Sequence, residues 1–396
     1  MRAPYGRATL FAVAIVAGIH ILPTGAIAVA SELAFPHQYS FAQKQTASNA
    51  VVDIALGEAH TCALLDDSSV WCWGSNSVGE AGFEASDEQL LNPTKVELIG
   101  GVVDLDAGSL HTCALLDDGS VWCWGDNYNG QLGNGTFGNT DGPTRVDSAV
   151  RFVAISVGGN TCGIDTASEV WCWGLVSSDE GWDYSASPQK VDNLSGVREV
   201  SVGGGHVCAV DDQNGLYCWG SNNQGQVGNG SRDGVPTPVP ILSNVAQVSA
   251  GGEYTCFVLL DERAGCWGVN SSFQLGNGNK KPRLTPIVNN MLGPSQFVSA
   301  GNLGSCSLKV NKRLWCWGKN ESGQIGIGRT SPALVARPYQ IKTKVRFQAV
   351  ERGNYHTCAI SLTSQLFCWG INYYGSVGDG TTLNRLIPTA VVFPSD

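Results

Sequence analysis

The 396-residue sequence has little charge and no run of basic residues. Charged residues make up 15% of the chain, and the formal net charge is −10 at pH 7. A protein that follows nucleic-acid phosphates needs a basic stripe on its surface. The composition therefore argues against a nucleic-acid partner.

Long apolar segments are also scarce, and the single one lies at the N-terminus. Two arginines precede a mostly apolar stretch at 10–22, a Pro-Thr-Gly triplet interrupts it, and small residues follow at 28–30. This order is typical of a signal peptide, and the run is too short for a membrane span. We expect a signal peptide over 1–30, a polar tether over 31–50, no membrane span in the mature chain, and a secreted, periplasmic or cell-surface protein.

The motifs of common catalytic and metal sites are missing too. No Ser/His/Asp order, no phosphate-binding loop leading into a helix and no close Cys-x-x-Cys pair stands out. Paired carboxylates such as 117–118 occupy tight turns, where aspartate serves first as a turn former. We therefore expect no enzyme activity, no cofactor and no metal.

Glycine and cysteine, in contrast, are abundant. The 50 glycines and low charge suit turn-rich β structure. The 14 cysteines fall into seven pairs whose members lie ten positions apart, and successive first cysteines are 46 to 52 positions apart. The pairs are Cys62 with Cys72, Cys113 with Cys123, Cys162 with Cys172, Cys208 with Cys218, Cys256 with Cys266, Cys306 with Cys316, and Cys358 with Cys368.

Each unit of about fifty residues repeats four segments. In the second unit they are "VVDLDAG" (102–108), the pair "HTCALL" and "VWCWG" around a polar turn, the loop "DNYNGQLGNG" (126–135), and a Pro-led strand "PTRV" (143–146). Apolar alternation between Gly, Asn and Asp punctuation is typical of β-strands. Four short strands repeated seven times predict an all-β, seven-bladed β-propeller over 51–396.

The cysteine spacing predicts one disulfide hairpin in each blade. Cys113 and Cys123 are equidistant from Asp118 in the turn, so they face each other across an antiparallel hairpin, at a separation that a disulfide accepts. The alternative is fourteen buried thiols. Strict pairing, an even count and an export signal favour the bridges. Tryptophans alternate with the second cysteine, and we expect them to form the core between blades.

Two schemes of ring closure fit the repeat. The Pro-led strand belongs either to the following blade, so that the segment 388–393 completes blade one, or to its own unit, which gives seven self-contained blades. We favour the first scheme.

The stretch "GSLHTCALLDDGSVWCWGDNYNGQLGNG" (108–135) resembles the repeat of the regulator of chromosome condensation family. That repeat runs Gly-x-x-His, a short apolar strand, an Asp-Gly turn, Trp-Gly and Gly-Gln-Leu-Gly, and the match covers about 51–396. The resemblance implies a seven-bladed propeller of RCC1-like repeats. The best-known member is a nuclear nucleotide-exchange factor that binds chromatin. The export signal, the acidic balance and the cysteine pairs depart from that role.

Four histidines occupy the same offset in their repeats: His60, His111, His206 and His356. One interpretation is a ring of imidazoles that binds metal at a rim. Equivalent positions in different blades are spread around the ring, however, and do not converge as metal ligands do. We expect each of these histidines to form a hydrogen bond with loop backbone between blades instead.

The candidate binding site lies on the loops of one face, because loops on a rigid scaffold commonly carry recognition. Blade three replaces the glycine-rich loop by "GLVSSDEGWDYSASPQ" (174–189), and other loops carry aromatics. The candidate residues are Asp179, Glu180, Trp182, Asp183, Tyr184, Tyr128, Tyr373 and Tyr374, with Phe137 and Phe273 as extensions of the patch. Aromatics beside carboxylates suit a basic or mixed protein surface. Sequence drift in one repeat explains the blade-three segment equally well.

Together these features predict an exported, monomeric scaffold that binds an unknown protein partner. Two alternatives stay open: a carbohydrate-binding surface protein, because Trp and Tyr stack on sugars, and an intracellular exchange-factor-like regulator. Five Asn-x-Ser/Thr sites would accept glycans only in a eukaryotic secretory path: Asn134, Asn193, Asn229, Asn270 and Asn320.

Overall fold

The computed structural model describes residues 49–98, 100–178 and 181–394. The predicted signal peptide and the tether up to residue 48 lie outside the described residues. Within that part of the chain the ordered elements are 27 β-strands. A search of the same residues for a helix long and apolar enough to cross a membrane finds none.

The strands form seven antiparallel sheets, one per repeat. The first strands are β1 Val51–Leu56, β5 Val102–Ala107, β9 Phe152–Val157, β13 Val197–Val202, β17 Val245–Ala250, β20 Ser295–Ala300 and β24 Phe347–Arg352. The second are β2 His60–Leu65, β6 His111–Leu116, β10 Thr161–Asp165, β14 His206–Asp211, β18 Tyr254–Leu259, β21 Gly304–Lys309 and β25 His356–Ser361. The third are β3 Val70–Asn76, β7 Val121–Gly125, β11 Val170–Ser178, β15 Leu216–Gly220, β19 Ala264–Gly268, β22 Leu314–Lys319 and β26 Leu366–Gly370. The fourth are β4 Ser86–Val96, β8 Thr140–Arg145, β12 Gly181–Lys190, β16 Val235–Leu242, β23 Leu334–Gln340 and β27 Arg385–Ala390.

Ring closure follows the second of the two schemes, so the favoured prediction was wrong. β27 pairs with β26 of its own unit, with Thr389 opposite Cys368, and β4 pairs with β3 in the same way. The fourth strand therefore stays in its own blade. The ends of the ring are joined by packing of Phe393 against Trp71 and Trp73, with ring centroids 6.1 Å apart in both pairs.

Blade five departs from the predicted four strands. Its sheet has three strands, and the outer segment makes only two isolated bridges, Gly265 with Val288 and Gly268 with Arg283. Arg283 and Val288 are five positions apart in the outer segment, whereas their partners Gly265 and Gly268 are only three positions apart. The extra residues include Pro286, which has no N–H, and they interrupt the ladder.

The seven predicted disulfides are confirmed. In each blade the two cysteines lie directly opposite each other on the second and third strands, with Cα atoms 4.0 to 4.1 Å apart. The bridges join, in blade order, Cys62 with Cys72, Cys113 with Cys123, Cys162 with Cys172, Cys208 with Cys218, Cys256 with Cys266, Cys306 with Cys316, and Cys358 with Cys368. No free cysteine exists among the residues described. A bridge that closes about eleven residues stabilises its hairpin by roughly 2.5–3 kcal/mol in the chain-entropy treatment.

The core lies between the blades, where the tryptophans were expected. The second tryptophan of the Trp-Cys-Trp segment, or the one that stands at its position, is fully or almost fully buried in every blade: Trp73, Trp124, Trp173, Trp219, Trp267, Trp317 and Trp369. Each packs among aliphatic residues of its own blade and of a neighbouring one. Adjacent sheets are therefore held face to face by one large flat side chain at each contact.

Candidate functional site

Six of the seven third strands lead into a loop built around a buried asparagine. In blade four, Oδ1 of Asn222 accepts a hydrogen bond from the N–H of Val227 at 3.0 Å, and its Nδ2 donates to the carbonyls of Ser231 and Asp233 at 3.2 and 3.0 Å. We call these six segments the locking loops: 76–82, 127–133, 222–228, 270–276, 320–326 and 372–378. The sequence signal is Trp-Gly-x-Asn, which the sequence interpretation passed over.

Each locking loop enters the next blade. The carbonyl of Gln226 accepts a hydrogen bond from Nε1 of Trp267 at 2.9 Å and another from the hydroxyl of Thr255 at 2.8 Å. Gly228 has φ +89°, and a Cβ there would lie 2.5 Å from Trp267 Nε1, so only glycine permits this approach. The loop thus fills the junction, meaning the contact between two neighbouring blades.

An aliphatic side chain from the locking loop is buried in each of these six junctions. The residues are Ala81, Leu132, Val227, Leu275, Ile325 and Val377, all 0–1% exposed. The same arrangement joins blade seven to blade one, where the carbonyl of Ser376 accepts from Trp73 Nε1 at 3.0 Å. Blades seven and one are therefore joined like the others, without a shared sheet.

The four histidines link neighbouring blades. Nε2 of His206 lies 2.8 Å from the hydroxyl of Thr255, the group that donates to the locking loop. His60, His111 and His356 make the same contact with Thr112, Thr161 and Thr61 at 2.8, 3.0 and 2.6 Å. Burial lowers the pKa of His60 to about 4 and that of His206 to about 3, so both rings are neutral at pH 7. No group of three or more metal-ligating side chains occurs in the described ranges.

Two blades that lack this histidine use another group in its place. In blade five the hydroxyl of Tyr254 donates to the carbonyl of Gly304 at 2.8 Å. In blade six the position is Gly304, and the guanidinium of Arg352 fills the space, donating to Thr357 at 3.2 Å. The hydrogen bond from blade five to blade six is therefore kept by tyrosine, whereas the space at Gly304 of blade six is filled by an arginine of blade seven whose bond to Thr357 lies within blade seven.

A central channel of about 410 Å³ is lined by the first strands. Their inner N–H groups have no neighbouring strand, and side chains of the adjacent blade accept from them. The carboxylate of Asp106 accepts from Val157 N at 2.6 Å, and Ser201 and Ser249 repeat the contact with Ala250 and Ala300 at 2.9 Å. The polar side chains that line the channel thus serve to join neighbouring blades. The candidate site remains on the loops.

The junction between blades three and four is different at four positions at once. The loop asparagine is replaced by Val176, the locking loop by the hairpin of β11 and β12, the histidine by Asn160, and the threonine by Val207. Among the described residues no inserted loop covers Trp219, which is 4% exposed, whereas the six equivalent tryptophans are fully buried. A groove of about 550 Å³ results, which we call the junction slot.

The structure brings part of the candidate site to this slot. Asp183 and Tyr184 line it, and Tyr184 is 55% exposed. Trp182 lies in β12 opposite Ser177, and Asp179 and Glu180 lie outside the described residues. Tyr128 on blade two is 77% exposed.

The other aromatic candidates are not in the slot. Tyr373 and Tyr374 are exposed on blade seven, and blade one separates them from Tyr128. Phe137 is half exposed, while Phe273 is partly buried beneath the ammonium of Lys280, 5.2 Å from its ring centroid.

We call the side of the ring that carries these loops the loop face. Backbone contacts such as Ser221 N to Gly205 O at 2.7 Å unite its two sets of loops.

Two of the five glycan acceptor motifs are built into locking loops. Asn270 and Asn320 are fully buried, and the Nδ2 of each donates to backbone carbonyls, including Asn279 O at 2.6 Å and Arg329 O at 2.9 Å. These amides serve the loop fold, so a glycan on either nitrogen is incompatible with it.

The ring of seven blades, the Trp-Gly-x-Asn loops and the Gly-x-x-His links define a propeller of the RCC1-like class. A family model described as the RCC1-like domain matches residues 29–301, more than half of the chain. Models of the regulator of chromosome condensation (RCC1) repeat match 312–360, and 296–324 with 349–376. The chain belongs to the RCC1-like domain family.

Individual relatives match only parts of the chain. Human E3 ubiquitin-protein ligase HERC2 is 28% identical over 207 residues, 48% of this chain and 4% of that protein. The mitochondrial RCC1 domain-containing protein RUG3 of Arabidopsis thaliana is 32% identical over 130 residues, 31% of this chain and 29% of that protein. The chain thus spans less than a third of either relative.

Solved structures match over most of the ring. Prp20p of Saccharomyces cerevisiae aligns with a TM-score of 0.75 at 21% identity, covering 83% of this chain and 87% of that one. The CRINKLY ectodomain of the Arabidopsis thaliana receptor kinase ACR4 gives 0.51 at 20% identity, covering 87% and 99%. At these identities the likeness establishes the fold.

Proposed function

We propose that this chain is an exported, non-catalytic scaffold that binds another protein through its loop face. The observation that carries the proposal is the set of exposed aromatics on otherwise polar loops, above all Tyr128. Tyrosine is enriched at protein interfaces because it buries a large apolar ring at low entropic cost and keeps a hydroxyl for hydrogen bonding. A rigid ring holds these side chains in place before a partner arrives.

The disulfides support export. Seven bridges with no free cysteine among the described residues suit an oxidising compartment, since the cytosol keeps thiols reduced. Cleavage after residue 30, a polar tether over 31–50 that stays on the mature chain and a monomeric ring over 51–396 complete the proposed organisation. The intact mass of natively expressed protein, alkylated without reduction, tests it. We expect an N-terminus at Ser31 and no alkylated thiol, whereas alkylated thiols with Met1 retained would contradict export.

The exchange-factor alternative rests on a related propeller whose partners are known. Prp20p is described by its binding to Gsp1p and histones, and another structure shows it with Kap60. Those partners belong to Prp20p. The formal net charge of this chain, −10, also favours binding to a partner with a basic surface.

Capture of partners from the extracellular fraction tests the binding surface. The variant Tyr128→Ala/Tyr373→Ala/Tyr374→Ala removes aromatic anchors from the loop face. The matched control Leu260→Ala/Val310→Ala/Leu362→Ala removes exposed aliphatic side chains from the opposite, turn-bearing face. We expect at least a tenfold loss of captured protein with the tyrosine variant and none with the control. Equal capture by both variants, or retention on a glycan array with no protein captured, would overturn the proposal.

A further inference from the structure

The junction slot is a place where this fold normally holds a piece of chain. In the six other junctions that the structure describes, a buried aliphatic side chain of a locking loop shares a core cluster with the tryptophan of the next blade. In five of them a backbone carbonyl of the loop also accepts from the indole N–H, as Gln226 O does from Trp267 at 2.9 Å. At the junction of blades three and four, no locking loop precedes Trp219.

The blade-three hairpin leads away from the slot and leaves it open. β12 pairs with β11 in continuous register from Ser178 opposite Gly181 to Leu175 opposite Tyr184. The outer end of this hairpin thus continues the sheet of blade three. The slot remains open between that sheet and β16, with Val176 and Tyr184 on one side and Val207, Trp219 and Pro238 on the other.

The slot residues fit an occupant that is more apolar than a locking loop. Val207 replaces the threonine whose hydroxyl donates to the loop carbonyl elsewhere, and Asn160 replaces the histidine that contacts that threonine. The methyl groups of valine form no hydrogen bond. An occupant of the slot therefore needs only an aliphatic side chain and one carbonyl that accepts from Trp219. The rim of the slot carries both signs of charge, on Asp183, Lys190 and Asp192, for contact with residues on either side of the bound turn.

We propose that the junction slot binds, from a separate partner protein, a tight glycine-rich turn of the form Gly-x-aliphatic-Gly. The partner's turn takes the position that a locking loop of the chain itself takes in the other junctions. This inference rests on the proposed protein-binding function and names the chemistry recognised at one part of the loop face. A second copy of the chain is not expected to supply this turn, because its own turns of this form are buried in its own junctions.

A cyclic peptide with the blade-four loop sequence, residues 221–230, is the probe. Titration calorimetry with the full-length mature protein measures its affinity. We expect saturable binding of one peptide per chain, and at least a tenfold weaker affinity when aspartate replaces the valine of the peptide. Absence of saturable binding, or equal affinity for both peptides, would overturn the proposal.

A pair of matched variants locates the peptide. Thr237 lies on β16 at the slot, and the register of the fourth strands places Ile387 at the equivalent position on β27, beside an occupied junction. We expect Thr237→Trp to reduce the affinity at least tenfold and Ile387→Trp to leave it unchanged. Circular dichroism checks that both variants are folded. Undiminished binding to folded Thr237→Trp protein would exclude the slot.

A graft provides a second test that does not depend on one bulky side chain. Replacing 175–190 by the blade-two segment 126–145, together with Asn160→His and Val207→Thr, supplies a locking loop within the chain. We expect the graft to abolish peptide binding, and full binding by the folded graft would contradict the proposal. Peptide binding seen only after the segment up to residue 48 is cleaved would reassign the slot to that segment.

The tyrosine variant separates this inference from the proposed function. Tyr128, Tyr373 and Tyr374 lie outside the slot, so their replacement should leave peptide affinity unchanged while it reduces partner capture. Peptide binding that is normal in a protein that captures no partner would refute the broader proposal alone. Partner capture that is normal in Thr237→Trp protein, with no peptide binding by the parent protein, would refute the slot alone.

Discussion

The histidines of this propeller are buried as neutral side chains. Each ring lies between its own blade and the next blade's threonine, and desolvation lowers the pKa of His111 and His356 to about 3. The sequence offset predicted their shared structural role. The predicted partner, loop backbone, was wrong: the partner is a threonine hydroxyl of the next blade, about fifty positions away in the sequence.

Acid should therefore destabilise the ring through these residues. Below pH 6.5 the unfolded chain binds protons on four histidines that the folded chain leaves neutral, so the free energy of unfolding falls as pH falls towards about 4. Each histidine contributes a slope of about 1.4 kcal/mol per pH unit in that range. We expect His206→Gln to reduce the slope by about that amount, as measured by urea denaturation at several pH values.

Glu199 provides the control of opposite sign. Burial raises its pKa to about 8 despite the attraction of Arg198, so the folded state holds a proton that the unfolded state loses above pH 4.5. Its contribution to stability therefore declines as pH rises from 4.5 to 8. Glu199→Gln should remove that decline and leave the acid slope of the histidines intact. An acid slope unchanged in His206→Gln would show that another group causes the loss.

The hairpins were the most predictable elements. Period-two alternation, the polar turns and the strict cysteine spacing are local signals, and all seven cysteine pairs lie where these signals place them. The fourth strand was misassigned because its short Pro-led pattern is the same whether it pairs backwards with β26 or forwards with blade one. The locking loop does not decide the direction of pairing, because the fourth strand of blade three pairs with its own blade without one.

One disulfide differs from the rest in accessibility. Cys172 lines the junction slot and is 5% exposed, while the other thirteen cysteines are 0–1% exposed. Thiol–disulfide exchange requires a thiolate to reach a sulfur atom. Under mild reduction of folded protein, we expect the bridge between Cys162 and Cys172 to open several-fold faster than the others. Differential alkylation and peptide mapping measure this, with the bridge between Cys256 and Cys266 as the internal reference, and uniform reduction would contradict it.

On the scale of the whole ring, stability comes from seven junctions, of which one lacks the locking loop. The sequence showed blade three to be irregular but could not show that the irregularity opens a slot against blade four. That consequence depends on Val207 and Trp219, which lie in the next repeat and look unremarkable in their own strands. The candidate tyrosines could be placed on one face from strand order alone, but their spacing around the ring could not be predicted.

Circular permutation should reveal the unequal junctions. Asn193 and Asn244 both occupy turns between blades with φ near +60°, so each offers a comparable place for new termini. With the natural ends joined by a flexible linker, the ring opened at Asn193 relies on the slot junction alone. We expect it to be about 2–4 kcal/mol less stable than the ring opened at Asn244, the worth of a buried aliphatic side chain and two hydrogen bonds. Denaturant midpoints compare them, and equal stability would contradict the ranking.

The single irregular junction also gives the ring a rotational reference. A disc of seven identical sectors would offer a partner seven indistinguishable ways to dock, each turned by one blade. A partner that reaches both the slot and Tyr128 on blade two can engage in one of these orientations only. Whatever is tethered to that partner is then held at a fixed azimuth around the channel axis.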